Sequence, residues 1–203
     1  MFDENDGLRM ISSARHALLN DIQLIKGYLY LNQPQKASAV IDRLTDSLRQ
    51  HSLLSRLGMP KTVFYLINAD WAALPFHLTV GIDAANLALR DSATSHCQDG
   101  KRKLTSVADE ELSVFFRRLF EQLGGCTDDP DTCRVDVRLL AESGLPMACV
   151  AVTGECMRSS EARAAIAALY PCQHLICQEQ FCEQGTSQNK GADLCLSIKS
   201  KSL

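Results

Sequence analysis
Apolar side chains return at intervals of three and four along the start of the chain. Ile11, Ala14, Leu18, Ile22, Ile25 and Leu29 make one stripe, which predicts a helix from about Leu8 to Asn32. The polar residues 1–7, ending in Gly7, read as a frayed start. Asn32-Gln33-Pro34-Gln35 breaks the pattern, and Pro34 suits the first turn of a new helix. Ala37, Val40/Ile41, Leu44, Leu48, Leu53/Leu54 and Leu57 carry that helix to Gly58-Met59-Pro60. Residues 61–75 are again helical in pattern, and His77–Ile82 alternates as a strand does.

Asp91–Lys103 is polar and reads as a loop, followed by a helix over Asp109–Leu123 that Gly124-Gly125 closes. Cys133–Leu140 and Met147–Val152 read as a β-hairpin around Glu142–Pro146. An alanine-rich helix is expected from Ser160 to Leu169, with strands at His174–Cys177 and Leu194–Ile198. Gln184–Gly191 reads as a turn-rich connection, and Lys199-Ser200-Lys201 as a frayed basic tail. The expected class is α+β: a helical hairpin over residues 1–58, then an α/β sandwich over 59–203.

A hairpin of two amphipathic helices has no complete core. Either a second copy closes it into a four-helix bundle, or it packs on its own second domain. His16 stands about 200° around the helix from Leu18. It heads a largely polar face with Leu19, Asn20, Gln23, Lys26, Gly27 and Tyr30. Spacing alone makes this a solvated histidine, although an imidazole titrates near neutrality and is partly nucleophilic in a cell.

Composition narrows the choices. Hydrophobic residues make up 46% of 203 residues and charged residues 22%, ordinary for a globular protein. A net charge of −3 gives no basic field for nucleic acid. No apolar run has the ~18 residues of a membrane helix. The acidic Met-Phe-Asp-Glu-Asn-Asp start has the wrong sign for an export signal. Cytoplasmic placement is therefore expected. All nine cysteines follow position 96, and reduced thiols are the default. Cys172, Cys177 and Cys182, with His174 between them, lack the close pairs that zinc favours.

Arg15, His16, Asn20, Ile22, Gln23, Leu24, Ile25, Lys26 and Gly27 stand at offsets that resemble the sporulation initiation phosphotransferase B family. The likeness continues more loosely through Leu31, Leu53-Leu54-Ser55 and Asp70-Trp71, and covers about residues 10–80 well. It implies a dimeric four-helix bundle carrying His16 as phosphoacceptor, then a degenerate histidine-kinase-ATPase-like domain. It also implies a cytoplasmic phosphotransferase of a sporulation phosphorelay. Its partners would be two response regulators, donor and acceptor, which would supply Mg²⁺; this chain would bind no cofactor or metal. Arg15 and Lys26 are candidates for charge support, and Leu19, Asn20, Gln23 and Gly27 for regulator docking.

Kinases of this kind carry two asparagines four apart on the helix spanning Asp109–Leu123, where the best alignment places Arg118 and Gln122. They also carry Asp-x-Gly-x-Gly, where this chain has Thr153-Gly154-Glu155-Cys156-Met157. Ala17 stands where an acid often follows the phosphoacceptor. These departures speak against an ATP-dependent autokinase. So short a segment ahead of the first helix also makes another protein the expected source of the signal. The alternative is a non-catalytic protein of the same fold that binds a response regulator or kinase.

Overall fold
The computed structural model describes residues 4–72, 74–82, 99–127, 129–142, 145–157, 160–170, 172–179 and 194–201. Helix α1 (Glu4–Tyr30) and helix α2 (Pro34–Leu54) form the antiparallel hairpin. The link between them is a Schellman turn: Gln33 N–H donates to the Tyr28 carbonyl and Asn32 N–H to the Leu29 carbonyl. Asn32 takes the left-handed conformation at φ 55°, which asparagine tolerates better than most residues. Pro34 then opens α2 at a position where no amide donor is needed.

Helix α3 (Pro60–Trp71) follows a turn through Gly58, whose φ is 74°. Its first amides are capped from a distance. The buried Asp109 carboxylate on helix α4 (Asp99–Gly124) accepts from Lys61 N and Thr62 N, both at 2.9 Å. Strands β1 (His77–Ile82), β2 (Cys133–Glu142), β3 (Leu145–Gly154), β4 (Leu175–Glu179) and β5 (Leu194–Ser200) make one sheet in the order β1-β2-β3-β5-β4. Among the described residues only β1 and β2 pair in parallel. Helix α5 (Ser160–Ala167) lies between β3 and β4 in the chain.

The pleat puts Val135, Val137 and Leu139 of β2 opposite Val152, Val150 and Ala148 of β3. Leu196 and Ile198 of β5 continue that layer. Against it packs an apolar face of α4 built from Leu112, Phe115, Phe116, Leu119, Phe120 and Leu123. Leu54, Leu57 and Met59 reach into the same core, so the end of the hairpin is anchored in the sheet unit.

Several expectations are corrected. The helix starts at Glu4 rather than after a frayed Gly7, because α1 continues through the polar start. Helix α2 stops at Leu54, three residues short of Leu57. Residues 99–103, expected in a loop, open α4, and the remainder of that loop lies outside the described residues. The Gln184–Gly191 connection and Cys182 lie outside them too. The basic tail is not frayed: Lys199 and Ser200 belong to β5, and Lys201 donates from N to the His174 carbonyl at 2.8 Å. Its Nζ donates to the carbonyls of Cys172 and Gln173.

The expectation of reduced thiols fails for Cys133 and Cys156, which form a disulfide with Cα atoms 5.9 Å apart. Their separation of 23 residues conceals the contact. The β2–β3 register creates it by setting Cys133 opposite Gly154, two residues before Cys156.

Candidate functional site: an exposed histidine on the hairpin
On α1 the half-buried non-glycine residues are Met10, Ser12, Ser13, Ala14, Ala17, Leu18, Asp21, Ile25 and Tyr28, and apart from the two serines they share one side of the helix. Asp21 accepts from Arg43 of α2 at 2.6 Å, and Lys36 of α2 stands 5.7 Å from the centre of the Tyr28 ring. Asp21 and Tyr28 mark the seam with α2. The apolar stripe read from the sequence is turned from that seam by roughly 60°. Its members Ile11, Ile22 (49% exposed) and Leu29 (56% exposed) consequently stay open. Ile41 and Leu48 of α2 are open as well.

His16 is exposed and points roughly 140° away from the seam. Below it on the same side, Asn20, Gln23, Leu24, Gly27, Tyr28 and Leu31 line a shallow groove of about 460 Å³. A Cβ added at Gly27 would meet nothing within 4 Å. Packing inside this chain therefore does not require glycine there, and the gap opens outward.

The predicted residues do not all converge. Asn20, Gln23 and Gly27 share the groove. Exposed Leu19 and Arg15 lie on the neighbouring flank, where they line a second, apolar groove with Met10, Ile11, Ala14, Leu18, Ile22 and Trp71. Lys26 is exposed but ten residues from His16, about 15 Å of helix rise. It and Arg15 cannot close on one phosphoryl group at the imidazole from within a single chain. Among the described residues no acid pairs with His16: Ala17 follows it, and Asp21 pairs with Arg43.

Leu24, Tyr28 and Leu31 were missed as groove residues, although helical spacing from Asn20 and Gly27 could have found them. Trp71 and the His51–Asp70 contact beside it were missed as well. The loose likeness at Asp70-Trp71 points to those positions without a role, and long separation along the chain hides the contact with His51.

In the sheet unit, Arg118 and Gln122 are exposed on α4. The segment that ends β3 is tightly held. Gly154 has φ 125°, and a Cβ there would collide with the Thr132 carbonyl oxygen. Cys156 and Met157 are buried in the core just beyond. Among the described residues no three His, Cys, Asp or Glu side chains come together as a metal site. No described helix is long and apolar enough to cross a membrane.

The fold is thus a helical hairpin with an exposed histidine, ahead of a mixed sheet unit. Residues 3–57, which span the hairpin, match the family described as the sensor kinase SpoOB-type, alpha-helical domain. The chain is also 24% identical over 116 residues to sporulation initiation phosphotransferase B of Bacillus subtilis (strain 168). That match takes in 57% of this chain, more than the hairpin alone. It covers 52% of the relative, so the chain spans about half the length of the curated protein it matches.

Proposed function
We propose that this chain is a cytoplasmic phosphohistidine relay of a sporulation-type phosphorelay. His16 takes a phosphoryl group from the aspartyl phosphate of one response regulator and passes it to the aspartate of a second. The observation that carries the reading is the exposed His16 at the head of an open groove whose Gly27 leaves room for a visitor. The hairpin's family match and the name of the relative support it.

In the first step the His16 Nε2 lone pair attacks phosphorus in line. The P–N bond forms as the P–O bond to the donor carboxylate breaks, and the carboxylate departs. In the second step the acceptor carboxylate attacks the same phosphorus and the imidazole leaves. Such transition states are loose, so alignment and charge neutralisation do most of the work. The regulator supplies the aspartate and its Mg²⁺. Arg15 supplies positive charge on the flank of His16. Lys26, one groove-length away, serves the incoming protein surface together with Leu19, Asn20, Gln23 and Gly27. ATP has no part in either step.

We further propose that residues 1–58 act as the dimerisation and phosphoacceptor unit and 59–203 as a degenerate kinase-ATPase-like unit. In a four-helix bundle each helix faces the axis between its two neighbours, not its hairpin partner alone. The offset of Ile11, Ile22 and Leu29 from the α1–α2 seam, with Ile41 and Leu48 open on α2, fits that geometry.

The test is a transfer without nucleotide. A radiolabelled, acetyl-phosphate-charged receiver domain is mixed with the full chain, then chased with a second, uncharged receiver. Label passing through the chain to the second receiver is the expected result. A donor that forms a stable complex with the chain yet keeps its label would instead favour a non-catalytic regulator-binding protein.

A further inference from the structure
The last turn of α2 holds a buried polar contact that the relay chemistry does not use. His51 is 8% exposed. Its Nε2–H donates to Asp70 Oδ2 at 2.9 Å. Its ring meets Trp71 edge-on, with centroids 5.3 Å apart and an interplanar angle of 79°. Its Nδ1 is buried with no hydrogen-bond partner. An apolar side chain would fill the same space without leaving a bare nitrogen in the interior. What the imidazole adds is direction: a hydrogen bond and an edge contact together fix the end of α3, where Asp70 and Trp71 are the last two residues. The neighbouring Gln50 Oε1 accepts from Ile82 N at 3.1 Å, which ties the same turn of α2 to the end of β1.

Helix α3 packs beside α1, and Trp71 stands at the groove between them. With Arg15, Leu18, Leu19 and Ile22 it lines the apolar groove on the flank of α1. Arg15 and Leu19 lie about 100° and 60° from His16 around the helix, both on one side of it. Trp71 thus borders the turn that bears His16 and leaves the outward face clear.

We propose that Trp71, held by the His51–Asp70 contact, is a positioning residue for His16. It braces the Arg15–Leu19 flank, so that the sheet-bearing unit sets the pose of the phosphoacceptor turn against a docked regulator. This rests on the relay reading above. A displacement of even 1 Å at a reacting group is enough to cost up to about a hundredfold in rate.

The test uses the full chain and two phosphoryl donors. Phosphoramidate is small and needs only an accessible imidazole; a receiver domain charged with acetyl phosphate also needs the correct pose. For Trp71→Ala the expected result is unchanged phosphohistidine formation from phosphoramidate. The rate at saturating receiver should fall about tenfold with little change in the half-saturating concentration, and Trp71→Phe should restore most of it. His51→Gln, which keeps an N–H for Asp70, should lose about two- to threefold and serves if Trp71→Ala does not fold. An unchanged receiver rate overturns the proposal. So does a raised half-saturating concentration at unchanged rate, which would make Trp71 a docking contact.

If even the wild-type chain accepts nothing from the receiver, the relay reading fails by itself. Backbone amide spectra then decide the positioning claim separately. Shifts in Trp71→Phe centred on Ala14–Leu19 support it, and shifts confined to α3 refute it.

Discussion
The two halves of this molecule treat their large hydrophobic side chains in opposite ways. In the sheet unit Phe116, Leu112, Leu119, Leu139 and Leu196 are sealed between α4 and the strands. On the hairpin Leu8, Ile11, Leu19, Ile22, Leu24, Leu29, Tyr30, Leu31, Ile41 and Leu48 remain exposed. Among the described residues only Val114 and Ile176 do so elsewhere. Scattered exposed apolar residues are ordinary, but a concentration of them on one element marks a surface for other molecules. The sheet unit has a closed core, whereas the hairpin leaves much of its apolar surface open.

That contrast predicts unequal costs for the same kind of change. Phe116→Ala should lower unfolding free energy by about 3–5 kcal/mol in urea titrations. Ile22→Ala, in a chain dilute enough to be monomeric, should cost less than about 1 kcal/mol. A large loss at Ile22 under those conditions would mean that the hairpin already has a closed core.

A smaller effect separates the halves by pH. Burial pushes the Cys177 thiol up to about 12 and raises that of Cys172, and it pushes the Tyr65 phenol up to about 12. All three belong to the sheet unit's core or its margin. An acid whose folded pKa is raised keeps the native state's proton while the unfolded chain loses its own. Stability is therefore full below about pH 9 and falls as pH rises toward 12. Cys177 is only half-buried, so its share is discounted for solvent screening to about 1–2 kcal/mol. Cys177→Ala should flatten the alkaline limb of a stability–pH curve; an unchanged limb would locate the sensitivity elsewhere.

The smallest effect has the opposite sign. Gly27→Ala on the open face should stabilise the free chain by about 0.5–1 kcal/mol, since nothing inside it meets the new methyl group. The same change should weaken binding of a receiver domain, measured by calorimetry. A stabilised variant that binds as well as wild type would show that the Gly27 gap is not used.

The hairpin was legible because its signals are local: the three-and-four spacing, the Asn32–Pro34 break and the polar face of His16 all follow from near neighbours. Strand β1 and the β2–β3 hairpin were read for the same reason, from short alternating runs. The start of α4 was not, because polar residues 99–103 carry no apolar stripe. The parallel pairing of β1 with β2, the Cys133–Cys156 bond and the contact of His51 with Asp70 were hidden by long separations that only the fold closes. The candidate site divides in the same way. His16, Asn20, Gln23 and Gly27 could be found along one helix, while Trp71 borders their neighbours from another.

Site-resolved mass spectrometry of the full chain after mixing with a charged receiver domain, without ATP, tests the central claim most directly. Acid-labile phosphate on the peptide carrying His16, absent from His16→Ala, is the predicted result. Equal phosphate in both proteins, or none in either while His16 stays exposed and the receiver binds, would contradict it.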